Sequence, residues 1–424
     1  MAGTPGGTGT TAERRPGLWG GTVIYCTTGM MHAKSRAGSR RNAGVWGNGP
    51  IMILRGNLVL PDRVAAGRIT FDGTIRAIAP DEVSGGDGPA EALYILPGFI
   101  DAHVHGGDGA DTMDGAAAIR RMARFHLVHG TTTILPTTIT RPWPDVMDAL
   151  HAVAEVKQAG MADGPVIHGA HLEGPFVSPH RLGAQPPFAI APDPHHVRAA
   201  LQTGVVRVVT LAPELEHADS AIAAFAAAGV RVSIGHTVAG FEQAEQAICR
   251  ICAAGGTAGG THLFNAMGGI EGRRPGPATA LLCSDAGHAE LIFDTHHVHP
   301  ASFRLAHRLL GDRLLFVTDA MRGAGQGDGI SQLGGQEVTI RDGIARLPDG
   351  TLAGSVLTLD GALRNAIAAG TDLVDAAKLV SRNAAHYLGL RDRGALLPGL
   401  RADFVVMDRE FMVREVWVGG ERRF

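Results

Sequence analysis

A lone glutamate, Glu173, ends the apolar run PVIHGAHL in the segment HLEGPF (residues 171–176), and the turn formers Gly174 and Pro175 follow it. Upstream, PGFIDAHVHGG (97–107) sets His103 and His105 one residue apart. Alternate residues of a strand point the same way, so both rings can reach one ion. Downstream come His236 in SIGHT, His262 in GGTHLFNAM and Asp319 in FVTDAM. Each group sits where an apolar, strand-like run gives way to glycine or polar residues. Imidazoles and carboxylates delivered from separate strand ends form a ligand set for a divalent metal that activates water. Such an ion lowers the pKa of bound water from about 15.7 to about 7 in favourable sites, making a nucleophile at neutral pH.

Bringing groups spread over more than two hundred residues to one point requires a particular architecture. The runs ILPGFIDAHVH, TTTILPTTI, PVIHGAHLE, VVRVVTLAPE, RVSIGHT, GGTHLFNAM, AELIFDTHHV and RLLFVTDAM read as eight strands. Alanine-rich helical stretches such as AAAIRRMARFHLVHG and HADSAIAAFAAAG separate them. Strands alternating with helices predict a parallel sheet, and eight strands close a barrel whose strand ends face one pole. The flanks differ. MILRGNLVL, GRITFDGTIRAIAP and ALYILPG, like residues 394–424, alternate short β runs with turns, including Asp72-Gly73. The expected fold is α/β: a (β/α)8 TIM-type barrel over residues 98–385, with a small β-sandwich domain built from both chain ends, 51–97 and 386–424. Residues 1–50, with six basic residues against the single acid Glu13 and no sustained period, are expected to be a disordered extension.

Composition excludes several classes of function. The chain has 424 residues, 45% of them hydrophobic, and can bury a large core. A net charge of −3, without a basic block in the folded part, predicts no nucleic-acid surface. No apolar stretch approaches the roughly 20 residues that span a bilayer, so no membrane partner is expected. The four cysteines are irregularly spaced and the start is not of secretory type, which predicts a cytoplasmic protein without a disulfide framework. Cys249 and Cys252 have the spacing of a zinc pair, but AICRIC continues a helical pattern and no second pair exists.

In order and spacing, PGFIDAHVHG, HLEGPF, SIGHT, THLFNAM, DTHHVHP, VTDAM and LAGS resemble the N-acetylglucosamine-6-phosphate deacetylase family of the amidohydrolase superfamily. The resemblance covers nearly all of residues 51–424. It implies hydrolysis of the acetamide of N-acetyl-D-glucosamine 6-phosphate to D-glucosamine 6-phosphate and acetate, and a homodimer. It also implies that Glu173, His236 and His262 hold a main divalent ion and that His103 and His105, sharing Glu173, hold a second. Two ions are expected rather than one, with zinc first and iron, cobalt or manganese also suited to these donors. Asp319 would take a proton from the attacking water and pass it to the departing amine. Substrate contacts are implied for Ala184, Gln185, Asn265, Ala266, Arg273, Asp294, His297 and the turn at Leu352, Ala353 and Gly354, with Arg273 on the phosphate.

Two departures from the family pattern bear on specificity. Gln185 in RLGAQPP stands where the family has histidine, and Thr295 stands where it commonly has glycine. Gln185 cannot become a cation but can donate an amide hydrogen bond to a carbonyl or sugar oxygen. Two other readings compete: an amidohydrolase acting on another N-acetylamino sugar phosphate, acyl-amide or cyclic ureide, and a non-catalytic barrel used as a binding module.

Overall fold

The structure, a computed structural model, describes residues 50–80 and 93–424. The extension expected to be disordered lies, except for its last residue, outside the described residues. Two β-rich pieces of the chain meet in one seven-stranded sheet. Its spatial order is Glu421–Arg422, Val413–Val418, Phe404–Met407, Tyr94–Pro97, Met52–Val59, Val64–Phe71 and Ile75–Pro80. Strands Met52–Val59 and Tyr94–Pro97 run parallel, and the other neighbours are antiparallel. The Asp72-Gly73 turn joins Val64–Phe71 to Ile75–Pro80, and the Asp72 carboxylate accepts from the Thr74 backbone N–H at 2.9 Å. One face of this sheet buries Leu58, Ile69, Phe71, Ile95, Phe404 and Trp417. Phe71 meets Phe404 edge-on at 4.7 Å between ring centroids, an arrangement that locks the two ends of the chain together.

The remainder is an α/β fold of TIM-barrel type. Parallel strands Phe99–Val104, Thr131–Pro136 and Val166–Ile167 form one hydrogen-bonded group. Ala170–Leu172, Val206–Leu211, Arg231–Ile234 and Ala258–Gly260 form a second, and Ala289–Leu291 with Leu314–Phe316 a third. Isolated bridges and hydrogen bonds join the groups, among them a bridge between Thr137 and His171, the Leu263 N–H donating to the Glu290 carbonyl at 2.7 Å, and the Asp319 N–H donating to the His103 carbonyl at 2.9 Å. Helices lie between the strands and bury one face each. In Trp143–Ala159, for example, Val146, Ala149, Leu150, Val153 and Val156 recur at helical spacing and are buried. Cys249 and Cys252 lie in helix Phe241–Ala253, in agreement with the helical pattern of AICRIC.

One element was not anticipated. After Asp319, strands Gly329–Leu333, Gln336–Arg341 and Ile344–Arg346 form an antiparallel sheet, with turns at Gly334-Gly335 and Asp342-Gly343. It buries Leu333, Val338, Ile340 and Ala345 against Ile139, Met321 and Ala353, and so brings residues 351–354 to the mouth of the strand ends. No helix among the described residues is long and apolar enough to cross a membrane.

Candidate metal centre

The chain places each candidate ligand at or just past the carboxyl end of a parallel strand. His103 and His105 end strand Phe99–Val104, Glu173 follows Ala170–Leu172, and His236, His262 and Asp319 follow Arg231–Ile234, Ala258–Gly260 and Leu314–Phe316. The last three have left-handed backbones, with φ of 46°, 33° and 48°. Non-glycine residues take this conformation at an energetic cost, and such strain gathers at functional sites.

Glu173 is the hub. Its Oε1 lies 3.1 Å from His262 Nε2 and 3.2 Å from His236 Nε2, while its Oε2 lies 3.2 Å from His105 Nε2 and 3.5 Å from His103 Nε2. Asp319 Oδ1 closes the second half, 3.1 Å from His105 Nε2 and 3.4 Å from His103 Nε2. All six residues are buried. Within each half the rings face nitrogen to nitrogen: His236 Nε2 is 3.0 Å from His262 Nε2, and His103 Nε2 is 3.3 Å from His105 Nε2. The outer nitrogens explain this. His105 Nδ1 faces the Thr137 carbonyl and His236 Nδ1 the Arg181 carbonyl. A carbonyl only accepts, so these Nδ1 atoms carry protons and each Nε2 is the nitrogen left to offer its lone pair to an ion. Converging lone pairs need a cation between them, and two buried groups, Glu173 with His236 and His262 and Glu173 with His103 and His105, fit a divalent ion.

Without an ion, protons do that work. Burial opposes charge on His105, but hydrogen bonds to Asp319 and Glu173 outweigh it and lift its pKa to about 9. His103 is raised well above its ordinary range, because the nearby Glu173 and Asp319 charges overcome its burial. Conversely, burial would raise Asp319, yet His103 and His105 hold it down at about 2. Glu173 lies well below the carboxylate range, its burial overcome by His103 and His236.

A cavity of about 220 Å³ opens on this centre. Ala184, Gln185, Asn265, Ala266, His297, Leu352 and Gly354 line it, as do Ile139, Ile292, Leu333 and Thr351, which the sequence did not single out. Ala353 is buried behind the turn, its N–H donating to the Ala345 carbonyl. Asp294 does not line the cavity. Its carboxylate accepts from the His296 and His297 backbone N–H groups and pairs with His297 Nδ1 at 2.7 Å, fixing the ring that does. Between them, exposed Thr295 has a φ of 71°. Glycine would take this left-handed conformation without the steric cost that a threonine bears. Arg273 is not brought to the cavity of its own chain: it is exposed and lines a separate open cleft with Glu271, Gly272 and Arg274. No lysine or arginine among the described residues lines the central cavity.

Two carboxylates behind the centre also escaped the sequence reading. Asp101, fully buried, accepts from Thr318 Oγ1 at 2.6 Å and from the backbone N–H of His103 at 3.3 Å, tying the strand that ends in the histidine pair to the turn before Asp319. Burial pushes its pKa up to about 7 against these bonds. Glu290 lies 2.9 Å from His103 Nδ1. Each is a lone acid in an apolar strand, the same signal that marks Glu173.

A TIM-barrel-type α/β fold with imidazoles and carboxylates converging at its strand ends defines the class. Residues 94–423 match the model of the amidohydrolase family, and the chain belongs to that family. The N-acetylgalactosamine-6-phosphate deacetylase of Escherichia coli O157:H7 is 37% identical over 82% of this chain and 92% of its own length. The N-acetylglucosamine-6-phosphate deacetylase of Bacillus subtilis is 39% identical over 76% of this chain and 82% of its own. Among solved structures, a variant of the N-acetyl-D-glucosamine-6-phosphate deacetylase of Mycobacterium smegmatis, in complex with N-acetyl-D-glucosamine-6-phosphate, superposes with a TM-score of 0.80 at 34% identity. That match covers 88% of this chain and all of the other.

Proposed function

We propose that this chain hydrolyses the acetamide of N-acetyl-D-glucosamine 6-phosphate, releasing acetate and D-glucosamine 6-phosphate. The observation that carries this reading is the convergence of four Nε2 atoms on the two oxygens of Glu173. Glu173, His236 and His262 would hold one divalent ion, and His103 and His105, with Glu173 shared and Asp319 beside them, a second. Zinc is the ion proposed, and it would supply an acidified water and a positive charge for the developing oxyanion. Asp319, its Oδ1 3.1 Å from His105 Nε2 and so beside that second ion, takes the proton of the attacking water. It then protonates the leaving nitrogen, without which the tetrahedral intermediate would revert to amide. His297, braced by Asp294, and the backbone at Asn265 and Ala266 would orient the sugar, with residues 352–354 over the ring.

The eight strand runs would close as a (β/α)8 barrel over residues 98–385, and the seven-stranded sheet would act as a small two-layered β domain from residues 51–97 and 386–424. Because Arg273 stands outside the cavity of its own chain, we propose that it serves the phosphate across a homodimer. A cytoplasmic location accords with a phosphorylated substrate, which does not cross membranes unaided.

A second reading, deacetylation of N-acetylgalactosamine 6-phosphate, is favoured by the likeness to the Escherichia coli enzyme of that name. Acetate release by the zinc-loaded protein, measured with both 6-phosphates and with unphosphorylated N-acetylglucosamine, tests both. Preference for the gluco 6-phosphate is expected. Preference for the galacto epimer transfers the proposal to the second reading, and no acetate from any of the three sugars sinks both.

A further inference from the structure

We infer that Glu290 is a positioning residue that readies His103 for the second ion; the inference rests on the two-ion reading given above. Glu290 is buried on the three-residue strand Ala289–Leu291, where an apolar side chain would pack at lower cost. Its Oε2 meets His103 Nδ1 at 2.9 Å, and His103 Nε2 then faces His105 Nε2, Glu173 Oε2 and Asp319 Oδ1 at 3.3, 3.5 and 3.4 Å. A carboxylate on Nδ1 fixes the proton there, leaves the Nε2 lone pair for an ion and makes that nitrogen a stronger donor.

The neighbouring His171 does not compete for this carboxylate. His103, His171 and Glu290 are close enough together to suggest an ion site of their own. However, His171 Nδ1 faces the Ala102 carbonyl at 3.1 Å, a partner only an N–H can satisfy, while its Nε2 meets Thr210 Oγ1 at 2.8 Å. Both ring nitrogens are thus engaged, no lone pair is left for a metal, and Glu290 Oε1 stays 3.8 Å away. The Leu263 N–H donates to the Glu290 backbone carbonyl, so the segment after His262 and the strand behind His103 are held in one frame.

The test is a cobalt(II) titration of chelator-stripped protein, following the d–d absorption and the cobalt bound per chain. Wild type is expected to take two ions. Glu290→Gln keeps a neutral acceptor for Nδ1, so it should hold the first ion normally and bind the second roughly 10- to 100-fold more weakly. Glu290→Leu, checked for folding by circular dichroism, should bind the second ion more weakly still. A merely structural role would lower thermal stability without separating the two affinities. Two ions in wild type with an undiminished second affinity in Glu290→Gln overturn this inference alone. A wild type that binds a single ion overturns the two-ion reading and the inference with it.

Discussion

Gln185 Nε2 donates to Glu173 Oε2 at 2.6 Å while its Oε1 accepts from the Thr140 backbone N–H, also at 2.6 Å. The two bonds fix the amide's orientation, since only oxygen can accept from Thr140 and only nitrogen can donate to a carboxylate. One N–H is left for anything in the cavity. Gln185, at the position where the resemblance led us to expect histidine, therefore braces the carboxylate of Glu173, and the oxygen it braces is the one facing His103 and His105. Gln185→Ala should lower ion affinity about tenfold or more and, by orphaning the buried Thr140 N–H, destabilise the fold by about 1–3 kcal/mol. Calorimetric metal titration and thermal melts read the two effects; unchanged ion affinity would show that Glu173 needs no brace.

Asp319→Asn removes the proton acceptor while keeping the shape of the side chain. Glu173 and the four histidines remain, so the variant should fold and retain at least the ion at Glu173, His236 and His262. Turnover should fall by about 10² to 10⁴, the range of a positioned acid-base group. Acetate release per bound ion is the measure, and a near-normal kcat would move the proton relay to another residue.

Much of this centre is legible from local signals. Glu173 is a lone acid closing an apolar run, and His103 and His105 share a strand face, so residue type and position alone nominate them. Strand-helix alternation places their ends at one pole. What the sequence does not disclose are pairings between distant turns. Nothing near Gln185 points to Thr140, which meets it only because two separate strands end side by side. Glu290 lies in AELIF and shows the Glu173 signal, but which histidine it faces depends on barrel order. The sheet at 329–346 has ordinary hairpin marks, Gly334-Gly335 and Asp342-Gly343, which the expectation of an uninterrupted barrel obscured. Arg273 shows the opposite failure: a motif match names the residue without placing it.

Removing the metal should expose a pH dependence of stability. His105 is raised from 6.5 to about 9 in the ion-free fold, so its contribution is complete below pH 6.5 and is lost as pH rises through 9. Asp319 is depressed from 3.8 to about 2, so its contribution is present above pH 3.8 and is lost as pH falls toward 2. Ion binding, which must displace the protons, tightens as pH rises. The melting-temperature gap between zinc-loaded and chelator-stripped protein should therefore widen from pH 6.5 to 9. A constant gap would mean that these ion pairs do not form in the stripped protein.

Thr295 carries backbone strain that glycine would relieve. A left-handed residue with a side chain costs about 1–2 kcal/mol, of which glycine's extra unfolded-state freedom cancels about 0.5–1. Thr295→Gly should stabilise the protein by up to about 1.5 kcal/mol, read as a higher urea midpoint at unchanged m-value. A lower midpoint would show that contacts of the threonine side chain outweigh the strain.

The proposed phosphate contact is tested at Arg273. If it holds the phosphate, Arg273→Ala should cut kcat/KM for the 6-phosphate by roughly ten- to a hundredfold, the equivalent of about 1.5–3 kcal/mol for a charge-assisted contact. Use of unphosphorylated N-acetylglucosamine should barely change, because that sugar has nothing for a guanidinium to grip. The ratio of the two losses is the discriminating quantity. Its exposed position outside the cavity adds a condition: if the contact is made across a homodimer, mixing inactive Asp319→Asn chains with Arg273→Ala chains should restore activity on the 6-phosphate. In the mixed dimer, the cavity with an intact Asp319 receives its arginine from the Asp319→Asn partner. Equal losses on both sugars would make Arg273 structural, and a selective loss without rescue by mixing would place the contact within one chain.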